Sequence, residues 1–108
     1  MLRIYTTVLD MLRALRPSID GIERRDADLG KQLRRASASV ALNIAEGSGC
    51  TKGSRTARYS TALGSMQETI ACLEVAEALG YLPGIDAATT ARFNHIVGVL
   101  VRLTHGRH

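Results

Sequence analysis

The sequence predicts an all-α chain, an up-down-up-down antiparallel four-helix bundle, and three observations lead there. Apolar residues recur at helical spacing in four separate stretches, no stretch alternates apolar and polar residues as a half-buried strand does, and the connections are short. Hydrophobic residues make up 45% of the 108 positions but aromatics only 4%, so the core must be built from Leu, Ile, Val, Ala and Met. A chain of this length is one domain, residues 1–108, with one core and enough leftover apolar surface to call for a second subunit.

The first helix is expected over about 2–16. Leu2, Tyr5, Leu9 and Leu12 form one stripe, and Ile4, Val8, Met11 and Leu15 an adjacent one, with Arg3, Thr6, Asp10 and Arg13 as the polar edge. A small bundle needs one apolar stripe per helix, so an oligomer interface is expected on Ile4, Val8, Met11 and Leu15. Pro17 lacks an N–H and ends the helix, leaving 18–25 as a connector.

Asp26 or Asp28 can cap a second helix over about 27–46, whose core stripe is Leu29, Leu33, Ala36, Val40 and Ile44. Ser37, Ala38, Ala41 and Ala45 are small enough to admit a neighbouring backbone. The glycine-rich stretch 47–53 does not have the phosphate-loop order GxxxxGK[ST] and follows no strand, so it reads as a helix cap and turn.

The third helix, about 54–79, carries Tyr59, Leu63, Met66, Ile70 and Leu73 inward. Gly64 and Ser65 within it weaken helicity, which calls for a packing reason; close crossing against the Ala-rich second helix supplies one. Gly80 ends the helix and 81–84 make the turn. Asp86 caps a fourth helix, about 87–104, with Phe93, Ile96, Val97, Leu100 and Leu103 inward and Arg92, His95, Val99 and Arg102 on a second face. The tail from Thr104 to His108 is expected to fray.

The formal net charge of +4, carried mostly by arginine, permits a nucleic acid or an acidic protein as partner. Lys31, Arg34 and Arg35 share one helix face, and Lys52, Arg55 and Arg58 repeat the clustering at the start of the third helix. With Arg92 and Arg102 they are the candidate nucleic-acid-binding residues. Tyr5, Tyr59 and Phe93 sit on core stripes, so bases have no stacking platform and backbone binding is the expected mode.

Catalytic chemistry finds no matching pattern. No glutamate has a histidine three residues on, as a di-metal bundle would need, and the serines have no base at recognisable spacing. Cys50 and Cys72 form no CxxC pair. Glu46 and Glu68 read as structural carboxylates that hold an Arg or cap backbone N–H groups. A non-enzymatic protein without metal or cofactor is therefore expected. It is placed in the cytoplasm, since the N-terminus is amphipathic rather than leader-like and no run approaches the ~18 apolar residues of a membrane span.

Four segments carry a resemblance: Gln32-Leu33-Arg34-Arg35-Ala36, Ser39 to Gly47 with Asn43, Glu46 and Gly47, Ala62-Leu63-Gly64-Ser65 with Glu68, and Leu79-Gly80-Tyr81-Leu82. The chain resembles bacterial four-helix bundle proteins encoded in intervening sequences of large-subunit ribosomal RNA genes, relatives of the accessory variability determinant proteins of diversity-generating retroelements. The resemblance implies a ring-like homopentamer with a basic surface that binds nucleic acid and, from the retroelement relatives, partnership with a reverse transcriptase. Where many relatives carry aromatic residues this chain has Arg55 and Arg58, which add two positive charges to one helical face, and Cys50 stands where they carry a basic residue. A protein-interaction scaffold is the alternative function.

Overall fold

The computed structural model of the chain describes residues 2–105. Those residues form four α-helices and no strand: α1 Arg3–Arg25, α2 Ala27–Ser48, α3 Lys52–Ala78 and α4 Ala87–His105. Thr104 and His105 are still helical, and the remainder of the tail expected to fray lies outside the described residues.

The first correction concerns α1, which runs through Pro17 to Arg25 instead of stopping at residue 16. Its buried stripe continues beyond the proline through Ile19 and Ile22, at 4% and 0% exposure. An interior proline costs roughly 3 kcal/mol, whereas burying two isoleucines is worth about 1.5–3 kcal/mol each, so burial wins. Pro17 itself is exposed, so the hydrogen bond it removes is lost on the solvent side.

The second correction follows from the same stripe. Ile4, Val8, Met11 and Leu15, expected at an oligomer interface, are 5% exposed or less within the single chain. They are core residues, because α2 and α4 flank α1 and cover this face. Tyr5, Leu9 and Leu12 are the half-buried stripe beside them, packed against the same core.

α1 and α2 are separated by Asp26 alone, whose extended backbone breaks the helix while its carboxylate accepts the Leu29 N–H at 3.0 Å. The crossing is close: a Cβ on Gly30 would lie 2.5 Å from the Glu23 Cα. The stretch expected to be a seven-residue loop is shorter, because α2 extends through Ser48 and α3 begins at Lys52. Gly47 is thus a buried helix residue, and its space is filled by the ring of Tyr59.

α3 presents Tyr59, Ala62, Met66, Thr69, Cys72, Leu73 and Ala76 as its buried residues, with Leu63 and Ile70 half-buried. Gly64 does not make the expected close crossing; it is exposed, and a Cβ there would meet nothing within 4 Å. Ser65 makes the contact with α2 instead. At the far end Gly80 adopts φ 80°, and the Tyr81 N–H returns to the Ala76 carbonyl at 2.8 Å, closing the helix. Asp86 accepts the Thr89 N–H at 2.7 Å and opens α4.

Val8, Met11 and Ile22, Leu33 and Ile44, Met66 and Leu73, and Ile96 and Leu100 meet in one apolar cluster drawn from all four helices. α2 and α3 share the most extensive contact, and the contact of α1 with α2 is more extensive than that with α4.

Candidate nucleic-acid interface

The basic residues fall into two electrostatic settings. Arg34 lies 3.0 Å from Asp20 and 2.7 Å from Glu23, both on α1. Its hydrogen bond to Glu23, then that to Asp20, raises its pKa above the ordinary value. Arg34 is therefore occupied by carboxylates, Arg35 shares a groove with Asp28 and Glu68, and Lys31 follows Asp28 by three residues on the same helix. The cluster that looked most polyanion-ready in the sequence sits among acids.

The second setting is an end of the molecule where hollows are lined by residues from the starts of α1 and α3, the last turn of α2 and the second half of α4. Leu2, Ser48, Arg55 and Tyr59 line one hollow there. Arg3, His95, Val99 and Leu103 line another. Glu46 and Arg58 are 3.2 Å apart across α2 and α3, about half exposed each. Residues 2–9, 43–59 and 95–105, which make up this end, contain five Lys and Arg residues (Arg3, Lys52, Arg55, Arg58, Arg102) against one carboxylate, Glu46. The segments 16–35 and 68–92 hold seven basic residues against eight acidic ones. Nearly all of the net charge is thus concentrated at one end.

Each helix supplies this end locally. Thr51 starts α3 in an extended conformation without a side-chain cap bond, so the first turn is left to face solvent with Lys52 beside it. The Arg55 guanidinium donates to the Cys50 carbonyl at 3.1 Å and holds the short connection closed. Arg102 is exposed in the last turn of α4. Arg92, by contrast, lies away from this end and reaches the Asp10 carbonyl at 3.4 Å. Arg3 was missed as a candidate, because its neighbours in space are far away in sequence.

The polar residues of the Ser39 to Gly47 and Gly64-Ser65 segments converge between α2 and α3. Asn43 Nδ2 donates to the Ser39 carbonyl at 2.9 Å and to Ser39 Oγ at 3.0 Å, and Ser39 Oγ is 2.8 Å from Ser65 Oγ. Gln32 Nε2 donates to Glu68 Oε2 at 3.3 Å. Outside this ladder lies a groove of about 540 Å³ lined by Asp28, Gln32, Arg35, Ser39, Ser65 and Glu68. Glu46 and Glu68 are both exposed; Glu46 holds Arg58, while Glu68 accepts from the Gln32 amide.

Cys72 is buried and its thiol pKa is raised, by burial first and by the Glu68 charge second, which keeps it a neutral packing group. Among the described residues no group of three or more His, Cys, Asp or Glu side chains is placed to hold a metal ion. No helix among them is long and apolar enough to cross a membrane.

No curated protein and no solved structure matches the chain. The model of the 23S rRNA-intervening sequence protein family matches residues 10–100, a span that includes the Asp26 cap, the α2–α3 ladder and the Gly80 turn. Over most of its length, therefore, the chain belongs to the 23S rRNA-intervening sequence protein family.

Proposed function

We propose that the chain is a non-enzymatic, cytoplasmic nucleic-acid-binding protein that works as a ring-like homo-oligomer, a pentamer, of up-down-up-down antiparallel bundles. The observation that carries the binding reading is the basic end: five exposed cations around one carboxylate, beside hollows lined by residues of all four helices. Exposed cations on a rigid end attract phosphates by releasing counterions, without reading sequence. The family's description, which ties it to 23S rRNA intervening sequences, makes structured RNA the first polyanion to test. Opposite running of α2 and α3 is supported by their cross-contacts, in which Gln32 meets Glu68, Ser39 meets Ser65 and Glu46 meets Arg58.

Titration of a structured RNA at rising salt tests the proposal. Binding at low salt whose logarithm falls linearly with the logarithm of salt concentration is expected, with a slope of about 0.7–0.9 per phosphate contacted. Absence of binding at low salt contradicts it. Light scattering should give several times the 11.6 kDa chain mass; a monomer at micromolar concentration contradicts the oligomer.

A second reading, a protein-interaction scaffold without nucleic acid, is favoured by Leu42, Val75 and Leu79, which are 61%, 46% and 56% exposed. A reverse transcriptase is one partner to test on that reading, by co-purification.

A further inference from the structure

The hollow lined by Leu2, Ser48, Arg55 and Tyr59 contains a polar group that the packing of the chain leaves unsatisfied. Tyr59 is 3% exposed, with its ring against Gly47 of α2. A buried phenol usually finds a hydrogen-bond partner, yet the Tyr59 hydroxyl has none among the described residues. Nor is it sealed off: the one side-chain polar atom that is both fully buried and unpartnered among those residues is Thr104 Oγ1, so the Tyr59 hydroxyl opens into the hollow that it lines. Arg55 stands one turn before Tyr59 on the same face of α3. Its guanidinium donates to the Cys50 carbonyl at 3.1 Å and has no carboxylate partner among the described residues; Glu46, the carboxylate of this end, is held by Arg58. Lys52 continues that face into the first turn of α3, where Thr51 supplies no side-chain cap and the leading N–H groups keep their partial positive charge.

We propose that this hollow takes the phosphorylated end of a nucleic-acid strand. Its occupant must be an anion that accepts hydrogen bonds, because the hollow offers a phenolic O–H, a guanidinium with further N–H groups and a helix N-terminus one turn away, beside the apolar wall of Leu2. At about 280 Å³ the hollow is several times the ~30 Å³ share of one water, which is room for a phosphate group and part of its sugar. A phosphate inside a strand carries a single charge and a sugar on both sides, so it lies across a surface. A terminal phosphate has three unesterified oxygens, a charge of about −1.5 to −2 at neutral pH and one sugar behind it, so it can enter a hollow and reach a hydroxyl on a buried ring. The inference rests on the nucleic-acid reading above and names the group on the strand that the basic end singles out.

Calorimetric titration with one hairpin RNA, made with a 5′-phosphate, with a 3′-phosphate or with hydroxyl groups at both ends, tests it. At least one phosphorylated form should bind about tenfold more tightly than the hydroxyl form, the scale of one hydrogen bond to a charged group, and the form preferred identifies the end. Tyr59→Phe removes the hydroxyl but keeps the ring against Gly47, so its helical circular dichroism spectrum should be unchanged while the preference falls to about twofold or less. Arg55→Gln should reduce the preference in the same way, whatever its effect on affinity for the hydroxyl form. Equal affinity of the wild type for the three RNAs overturns the inference and leaves the nucleic-acid reading standing. A preference that survives intact in either variant also overturns it, because the phosphate is then held elsewhere. No binding of any form at low salt overturns both readings.

Discussion

The ring of Tyr59 lies against Gly47 so closely that a Cβ at residue 47 would stand 2.6 Å from the Tyr59 Cε1 atom. Tyr59 is 3% exposed and has little room to retreat. Gly47→Ala should therefore destabilise the chain by about 1–3 kcal/mol, the usual penalty of overpacking, measured by urea unfolding. Helix propensity alone gives the opposite sign, a gain of roughly 0.5–1 kcal/mol. A more stable variant would show that the contact relaxes freely.

Pro17 interrupts the hydrogen bonding of α1 on its exposed side while Ile19 and Ile22 hold the helix together beyond it. Pro17→Ala restores one backbone bond and removes the ring, so thermal unfolding should shift upward, with a gain of about 1–3 kcal/mol. An unchanged or lower midpoint would mean that α1 gains nothing from continuity at this point.

Asp26 has two partners: Oδ1 accepts the Leu29 N–H at 3.0 Å and Oδ2 accepts the Tyr81 hydroxyl at 3.2 Å, while Arg25 stacks 5.4 Å from the Tyr81 ring centre. One carboxylate thus caps α2 and ties the α1–α2 break to the turn after α3. Asp26→Ala should cost about 1–2 kcal/mol in denaturant unfolding, toward the upper end for a cap. Asp26→Ala and Tyr81→Phe should combine less than additively; full additivity would show the two contacts to be independent.

Asp86 has its pKa lowered below the ordinary 3.8, chiefly by the backbone N–H of Thr89. A depressed folded-state pKa stabilises the folded chain above the unfolded value and stops doing so as pH falls through the folded one. Asp86→Asn keeps an oxygen for the cap but cannot titrate. The stability advantage of the wild type over this variant should be present near neutral pH and close as the pH drops below about 4. A gap of constant size across that range would remove Asp86 from the acid response.

The parts of this fold legible in the sequence are those decided within one or two turns. Asp26, Gly80 and Asp86 punctuate the helices because capping is local chemistry, and the inward stripes of α2 and α4 follow from 3.6-residue periodicity. Pro17 was misread because helix termination is a contest between a local break and burial farther along, and Ile19 and Ile22 tip it. The stripe from Ile4 to Leu15 was misassigned for a related reason: periodicity shows that a face is apolar but not what covers it. The basic end is invisible in the sequence, since the hollows that join Leu2 to Arg55 and Arg3 to His95 bring together segments far apart along the chain. The Lys31, Arg34 and Arg35 cluster is visible, but Asp20 and Glu23, which hold Arg34, belong to another helix.

The location of the charge, rather than its amount, is the centre of the proposed function, and one comparison isolates it. Arg3→Glu with Lys52→Glu reverses two exposed cations at the basic end; Arg24→Glu with Lys31→Glu reverses two at the other end, with the same change in net charge. Affinity for one structured RNA should be measured for both proteins across a salt series. The expected result is a loss of about tenfold or more at low salt, with a salt slope shallower by roughly 1–2, for the first pair, and a change within about twofold for the second. Equal losses in the two proteins, or a larger loss in the second, would contradict a binding surface at the basic end.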